Sequence, residues 1–267
     1  MTVKQAFNYI LTELNKVKAP SLLLDDFVYI WYKGTLQYVN LEYNSYNTNQ
    51  QKSDNLSSLM QTYVATGNDI LPIGADYNNS AAYVGTSVIN LPVNYNHLLN
   101  CIIEFAPITP NVCPSNGNLV YGAKRLTEDM YPTAIRNYYF KPSVKNPYYF
   151  IHTVDKPTFN VGSRNTSPIS TGYRMEIRFG QDSTLYTIEN IFIDYVRVPT
   201  FVKLSQDDLD DIIDNSDILE FSDYVCQEII NRCVFLILEN QSNPRMNSNL
   251  PVNQTIFNTS SQQQSKK

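Results

Sequence analysis

His97 and His152 are the only histidines in the chain, and they lie far apart. Zinc binding and general-base catalysis both need partners at short, recognisable spacings, and neither histidine belongs to such a set. Both read as polar residues flanking strands. The adjacent acids Glu128 and Asp129, and the pair Glu176 and Asp194, are the carboxylates that glycoside hydrolysis would require. Neighbouring acids on one helix are ordinarily solvated, so geometry has to bring such a pair together before it can act. The run Asp207, Asp208, Asp210, Asp211, Asp214 and Asp217 suggests calcium, yet it lacks the glycine and closing glutamate of an EF-hand loop. It reads as a solvated helix face or an acidic contact surface. Cys101, Cys113, Cys226 and Cys233 form no metal-like pairing, and Cys226 and Cys233 stand two helical turns apart on an apolar face, as small buried residues do. All four are expected reduced. Gly-x-Ser-x-Gly and phosphate-cradling glycine loops are missing from a chain of nine glycines. The expectation is no catalytic residue, no cofactor, no metal and no enzymatic activity.

Lys124, Arg125, Arg136, Lys141, Lys145, Arg174 and Arg178 interleave with Tyr138, Tyr139, Phe140, Tyr148 and Tyr149. Cations alternating with aromatics can line a path for nucleic acid, and they also occur where sheet aromatics face inward and charges outward. Residues 120–200 hold ten Lys or Arg against seven acids, the rest of the chain ten against eighteen. The middle is thus +3 and the remainder −8 within a net charge of −5. That asymmetry suits an acidic partner or a mixed solvated surface, at a density below that of an autonomous nucleic-acid module.

The elements that must position these residues follow from periodicity. Val3, Phe7, Ile10, Leu11, Leu14 and Val17 predict a helix ending before Pro20. Leu24, Phe27, Val28, Trp31, Tyr38 and Leu41 predict a second, paired with the first as a hairpin, in which Gly34 is a weak point or bend. Ser53 caps an expected third helix carrying Leu56, Leu59, Met60 and Val64. Residues 66–90 look irregular. Leu98–Phe105 predicts a strand, and a helix starting at Arg125–Asp129, capped by Thr127, is expected to run to about Asn137. Tyr148–Ile151, Tyr173–Phe179 and Leu185–Val198 predict strands, the last two joined as a hairpin through Gly180–Ser183. Ser205 caps a short acidic helix within 204–213.

Everything is organised around Leu219–Asn240. Ser222 and Asp223 mark a helix start, and Cys226, Ile229, Ile230, Cys233, Leu236 and Ile237 share one face. Val234, Phe235 and Leu238 widen the stripe until the last turns are apolar nearly all round, so this helix must be covered on several sides. Asn243-Pro244 ends it. The expected class is α+β: N- and C-terminal helices packed around a small antiparallel sheet, with an extended polar C-terminal tail. Its parts are 1–65, helical; 66–200, mostly β with one helix near 125–137; 201–244, helices completing the same domain; and 245–267, a tail ordered only by docking. The Tyr-rich, Asn-rich composition reflects codon bias or interface use. An apolar signal core and a membrane-length apolar stretch are both lacking, so the product is expected to stay in the cytoplasm that makes it.

Three stretches resemble a structural protein of tailed phages, most closely the crAss-like phages of gut Bacteroidales. They are Ala123–Asp129 with its run-on to Asn137–Pro142, Ile191–Pro199, and Leu219–Arg245. The likeness covers most of residues 1–256 and is closest to the head-to-tail connector or collar ring proteins. It implies a virion subunit in a ring of about twelve copies on the portal, enclosing the DNA channel. The implied partners are the chain itself, the portal protein, neighbouring collar and tail proteins and, non-specifically, genomic DNA, with no membrane. On that reading Lys124, Arg125, Arg136, Lys141 and Lys145 are candidate channel or partner contacts, and Tyr224, Val234, Phe235 and Leu238 candidate subunit-interface residues. The competing reading is a peripheral tail or fibre-attachment protein of the particle.

Overall fold

The computed structural model describes residues 1–16, 22–46, 50–72, 85–108, 118–127, 129–137, 139–153, 172–211 and 214–240. The chain divides into a helical unit, residues 1–58 with 199–267, and a sheet unit, residues 59–198. The class is α+β.

The helical unit holds α1 (Val3–Lys16), α2 (Leu24–Asn44), α3 (Gln50–Leu56), α5 (Gln206–Asp210) and α6 (Asp223–Asn240). α1 and α2 both pack on α6, the helix that the apolar stripe singles out. Val225, Cys226, Ile229, Ile230, Cys233, Leu236, Ile237 and Leu238 are buried along it, and full burial of each large aliphatic contributes about 1.5–3 kcal/mol. Phe7 meets Phe27 edge to face at 5.1 Å, which closes α1 onto α2. α2 runs unbroken through Gly34. A Cβ there would lie 2.8 Å from Cys233 Sγ, so Gly34 is a close-approach point between two helices rather than a bend.

The acidic segment lies along the start of α1. Thr2 pairs with Ile218, flanked by the Val3 N–H to Asp217 carbonyl bond at 3.0 Å. The Asp214 carboxylate accepts from the hydroxyls of Thr2 and Ser216, each at 2.5 Å. Lys4 Nζ donates to the carbonyls of Asp208 and Asp211. α5 opens on the expected Ser205 cap as a full capping box, Ser205 Oγ accepting from the Asp208 N–H and the Asp208 carboxylate from the Ser205 N–H. It spans five residues, shorter than expected; Ile212 and Ile213 lie outside the described residues.

The sheet unit packs two sheets face to face. β1 (Met60–Thr66), β4 (Tyr95–Pro107), β5 (Leu119–Gly122) and β9 (Tyr186–Arg197) form one, in the order β1-β9-β4-β5. β2 (Leu71–Pro72), β3 (Thr86–Asn90), β6 (Lys124–Arg125), β7 (Tyr148–Thr153) and β8 (Tyr173–Arg178) form the other, in the order β2-β3-β8-β7-β6. Inward residues of both sheets share one core, where Phe105 meets Phe179 at 5.2 Å and Cys101 Sγ lies 3.9 Å from Met175 Sδ.

Four expectations are corrected here. β8 and β9 are not a hairpin: a 3-10 turn, Gly180–Thr184, carries the chain from one sheet to the other, so their apolar faces oppose instead of lying side by side. The third helix stops at Leu56, and Met60–Thr66 becomes a strand registered on β9 from Met60↔Val196 to Thr66↔Asn190. Cross-strand pairing and burial of Ala65 override the i, i+4 spacing of Met60 and Val64. The region called irregular contains β3, whose Ile89 is fully buried. The helix near 125–137 is confined to α4 (Tyr131–Arg136), because Lys124 and Arg125 pair with β7 instead.

Candidate functional site

β6 and β7 run parallel, Lys124 beside Tyr148 and Arg125 beside Tyr149. Parallel neighbours need a crossover, and residues 126–147 supply it, with α4 in its middle. Five of the seven cations singled out in the sequence are delivered by this β6-α4-β7 unit at the edge of the five-stranded sheet, while Arg174 and Arg178 lie on β8. Lys124 and Arg125 are exposed on β6, Arg136 in the last turn of α4, and Lys141 and Lys145 before β7.

The crossover is held on the sheet by a buried arginine. Arg178, only 7% exposed, points to the outer face of β8, bonds Glu176, and sits 4.1 Å from the Tyr131 ring and 4.5 Å from that of Phe150. Tyr131 meets Phe150 edge to face at 5.5 Å. A guanidinium between two rings and a carboxylate satisfies its charge by cation–π and ionic contact. Arg178 therefore anchors α4 and is no nucleic-acid contact, while Arg174 is half-buried. Tyr148 and Tyr149 are likewise core residues, and Tyr138 lies outside the described residues.

The remaining aromatics are held outward. After α4 the Tyr139 N–H donates to Asn137 Oδ1 at 3.0 Å and the Phe140 N–H to the Asn137 carbonyl at 3.2 Å. Tyr148 Oη donates to the Phe140 carbonyl at 2.8 Å. Val144 is buried, its N–H on Asp182 Oδ2 at 2.9 Å, which leaves Lys145 facing out. In this fixed frame Tyr139 is 85% and Phe140 56% exposed, with Met130 and Ile135 exposed as well. Large apolar side chains are thus exposed on one short segment among cations, a composition of the kind found at contact surfaces. Tyr139 and Phe140 were visible in the sequence; Met130 and Ile135 were not, because nothing local distinguishes them from helix-core residues.

The other candidates separate. Glu176 lies on the outer face of β8 and Asp194 on the outer face of β9, where it accepts from Thr62 Oγ1 at 2.7 Å, so the two carboxylates belong to opposite sheets. Asp129 is exposed, and a bond to the Thr127 side chain holds its carboxyl below the usual range; Thr127 thus serves Asp129 instead of capping a helix. Glu128 lies outside the described residues. His97 sits in β4, where burial holds its imidazole below the ordinary range, and His152 sits in β7 with Nε2 3.6 Å from Glu176 Oε2. Burial pushes the thiols of Cys101 and Cys233 up to about 12 and that of Cys226 up to about 11, so all three are protonated, unreactive core side chains. Cys113 lies outside the described residues. Among the described residues no group of three His, Cys, Asp or Glu could hold a metal ion, and no helix is long and apolar enough to cross a membrane.

On α6, Tyr224 is exposed and Val234 and Phe235 are half-buried. Leu238 is only 3% exposed, so it belongs to packing and not to an open subunit interface. The tail after Asn240 lies outside the described residues. Compared with known proteins, the chain matches no family model and no curated protein.

Proposed function

We propose that the protein is a virion structural subunit that assembles into a ring of about twelve copies in a tailed-phage head-to-tail connector, bound to the portal and enclosing the DNA channel. The observation that carries the reading is the exposed cationic and aromatic edge of the β6-α4-β7 crossover. It coincides with Ala123–Pro142, one of the three stretches on which the resemblance to collar ring proteins rests. Aromatic side chains held in solvent by a hydrogen-bonded backbone support this reading, since a surface ordered beforehand loses less entropy on association. The further partners on this reading are neighbouring collar and tail proteins, with genomic DNA in the lumen.

The test is native mass spectrometry with negative-stain imaging of the full chain, alone and mixed with the portal protein. Closed rings of about twelve subunits in either sample are the expected result. Monomer in both samples overturns the ring, and particles labelled only at the tail periphery would establish the fibre-attachment alternative.

A further inference from the structure

Divided by unit, the charge is segregated. Each unit holds ten Lys or Arg, but the sheet unit balances them with ten acids and the helical unit has fifteen. The imbalance is local: residues 199–240 carry ten acids against two cations, residues 124–147 five cations against two acids. Asp207, Asp210, Asp211 and Asp217 are exposed, Ile218 next to Asp217 is 80% exposed, and Phe201 in the same unit is exposed as well. The backbone under this segment is fixed by the Ser205 capping box and by Lys4. The acidic surface is therefore held by backbone hydrogen bonds, as the cationic one is, and both carry exposed apolar side chains among their charges.

We propose that the cationic edge of one copy, Lys124, Arg125, Arg136 and Lys145 around Tyr139 and Phe140, docks on the acidic surface carried by Asp207, Asp210, Asp211 and Asp217 of a second copy, head to tail. Opposite signs on two different surfaces of one chain make the contact heterologous, and repetition of a heterologous contact gives a ring or an open filament. The charges set partner, register and association rate, while Tyr139, Phe140, Ile218 and Phe201 supply the apolar area. A second copy is favoured over DNA because the exposed aromatics and the oppositely charged surface with its own exposed apolar side chains both match a protein contact. This inference rests on the self-association in the proposed function and names its surfaces.

Two full-chain variants test it: Lys124→Glu/Arg125→Glu/Arg136→Glu and Asp207→Lys/Asp210→Lys/Asp217→Lys. Sedimentation velocity would compare each alone, the two mixed, and the wild type at about 0.05 M and about 0.5 M salt. The expected result is loss of assembly by about tenfold or more in either variant and at high salt, and recovery in the mixture. Recovery on mixing also shows that both variants fold. Wild-type assemblies untouched by either reversal overturn the inference and leave the ring standing, whereas a wild type monomeric with and without portal protein overturns both. Loss of duplex DNA binding with assembly intact in the Lys/Arg variant assigns the edge to nucleic acid instead and overturns the inference.

Discussion

Gly34 and Cys233 show how a single contact sets the helical unit. Glycine inside a helix costs about 1 kcal/mol relative to alanine, so α2 carries it only because α6 comes so close. The Cys233 sulfur is fully buried and 3.7 Å from the Ile30 carbonyl, which leaves it little room to move from an added methyl group. Gly34→Ala should therefore destabilise the helical unit by about 1–3 kcal/mol, the usual range for overpacking. In a Cys233→Ala background, where the clash is relieved, the same change should be neutral or stabilising. Denaturant unfolding of the four chains of this double-mutant cycle measures it. Equal effects of Gly34→Ala in both backgrounds would show that the sulfur contact does not decide the sign.

At the scale of elements, the turn after β8 separates the sandwich from a simple hairpin. Gly180 has φ +68°, and a Cβ there would lie 2.5 Å from the Pro142 carbonyl oxygen. Gly85, also at φ +68°, approaches the Gly180 backbone, and its carbonyl accepts from the Phe179 N–H at 2.9 Å. Three backbone segments thus meet with no space for side chains. Gly180→Ala should cost about 2–4 kcal/mol, combining a left-handed conformation with a backbone clash. Gly122→Ala, whose added Cβ meets nothing within 4 Å, should stay within about 0.5 kcal/mol. Urea midpoints of the two variants compare them, and similar midpoints would remove the turn from its proposed role. The sequence marked this turn through Gly180-Gln181-Asp182-Ser183, but it carried no sign of which sheet each flanking strand would join. β-strand pairing is a long-range choice made by whole faces and not by the connecting residues.

For the whole molecule, the sheet unit is continuous in sequence while the helical unit is not. The register Met60↔Val196 brings the two ends of the sheet unit together on adjacent strands, at about 5 Å between Cα atoms. An insertion with neighbouring ends can be excised without straining either part. Residues 59–198 alone should fold with dispersed NMR amide resonances and a cooperative melt. Residues 1–58 joined by a short Gly/Ser linker to 199–267 should keep a helical circular-dichroism spectrum. An unfolded spectrum from either piece would show that the two units need each other to be stable.

By itself the sequence determined the organising helix 223–240, the helix 3–16, the strands near 98–105, 148–151 and 173–198, the Ser205 cap and the buried thiols of Cys226 and Cys233. Each of these is written in a local period or a local hydrogen-bonding residue, which physics reads over a few turns or one strand. It also contained the cations 124, 125, 136, 141 and 145, and the uneven charge. Only the tertiary structure decided that those cations share one crossover at a sheet edge, that Arg178 and Tyr148 are core instead, and that Leu238 is covered. It alone made Met60–Thr66 a strand and Gly34 a contact. In three of these cases the deciding partner lies far along the chain: β9 for β1, Tyr131 and Phe150 for Arg178, α6 for Gly34. Interactions between distant residues leave no period behind them, so one sequence shows the surfaces and the fold decides which of them face outward.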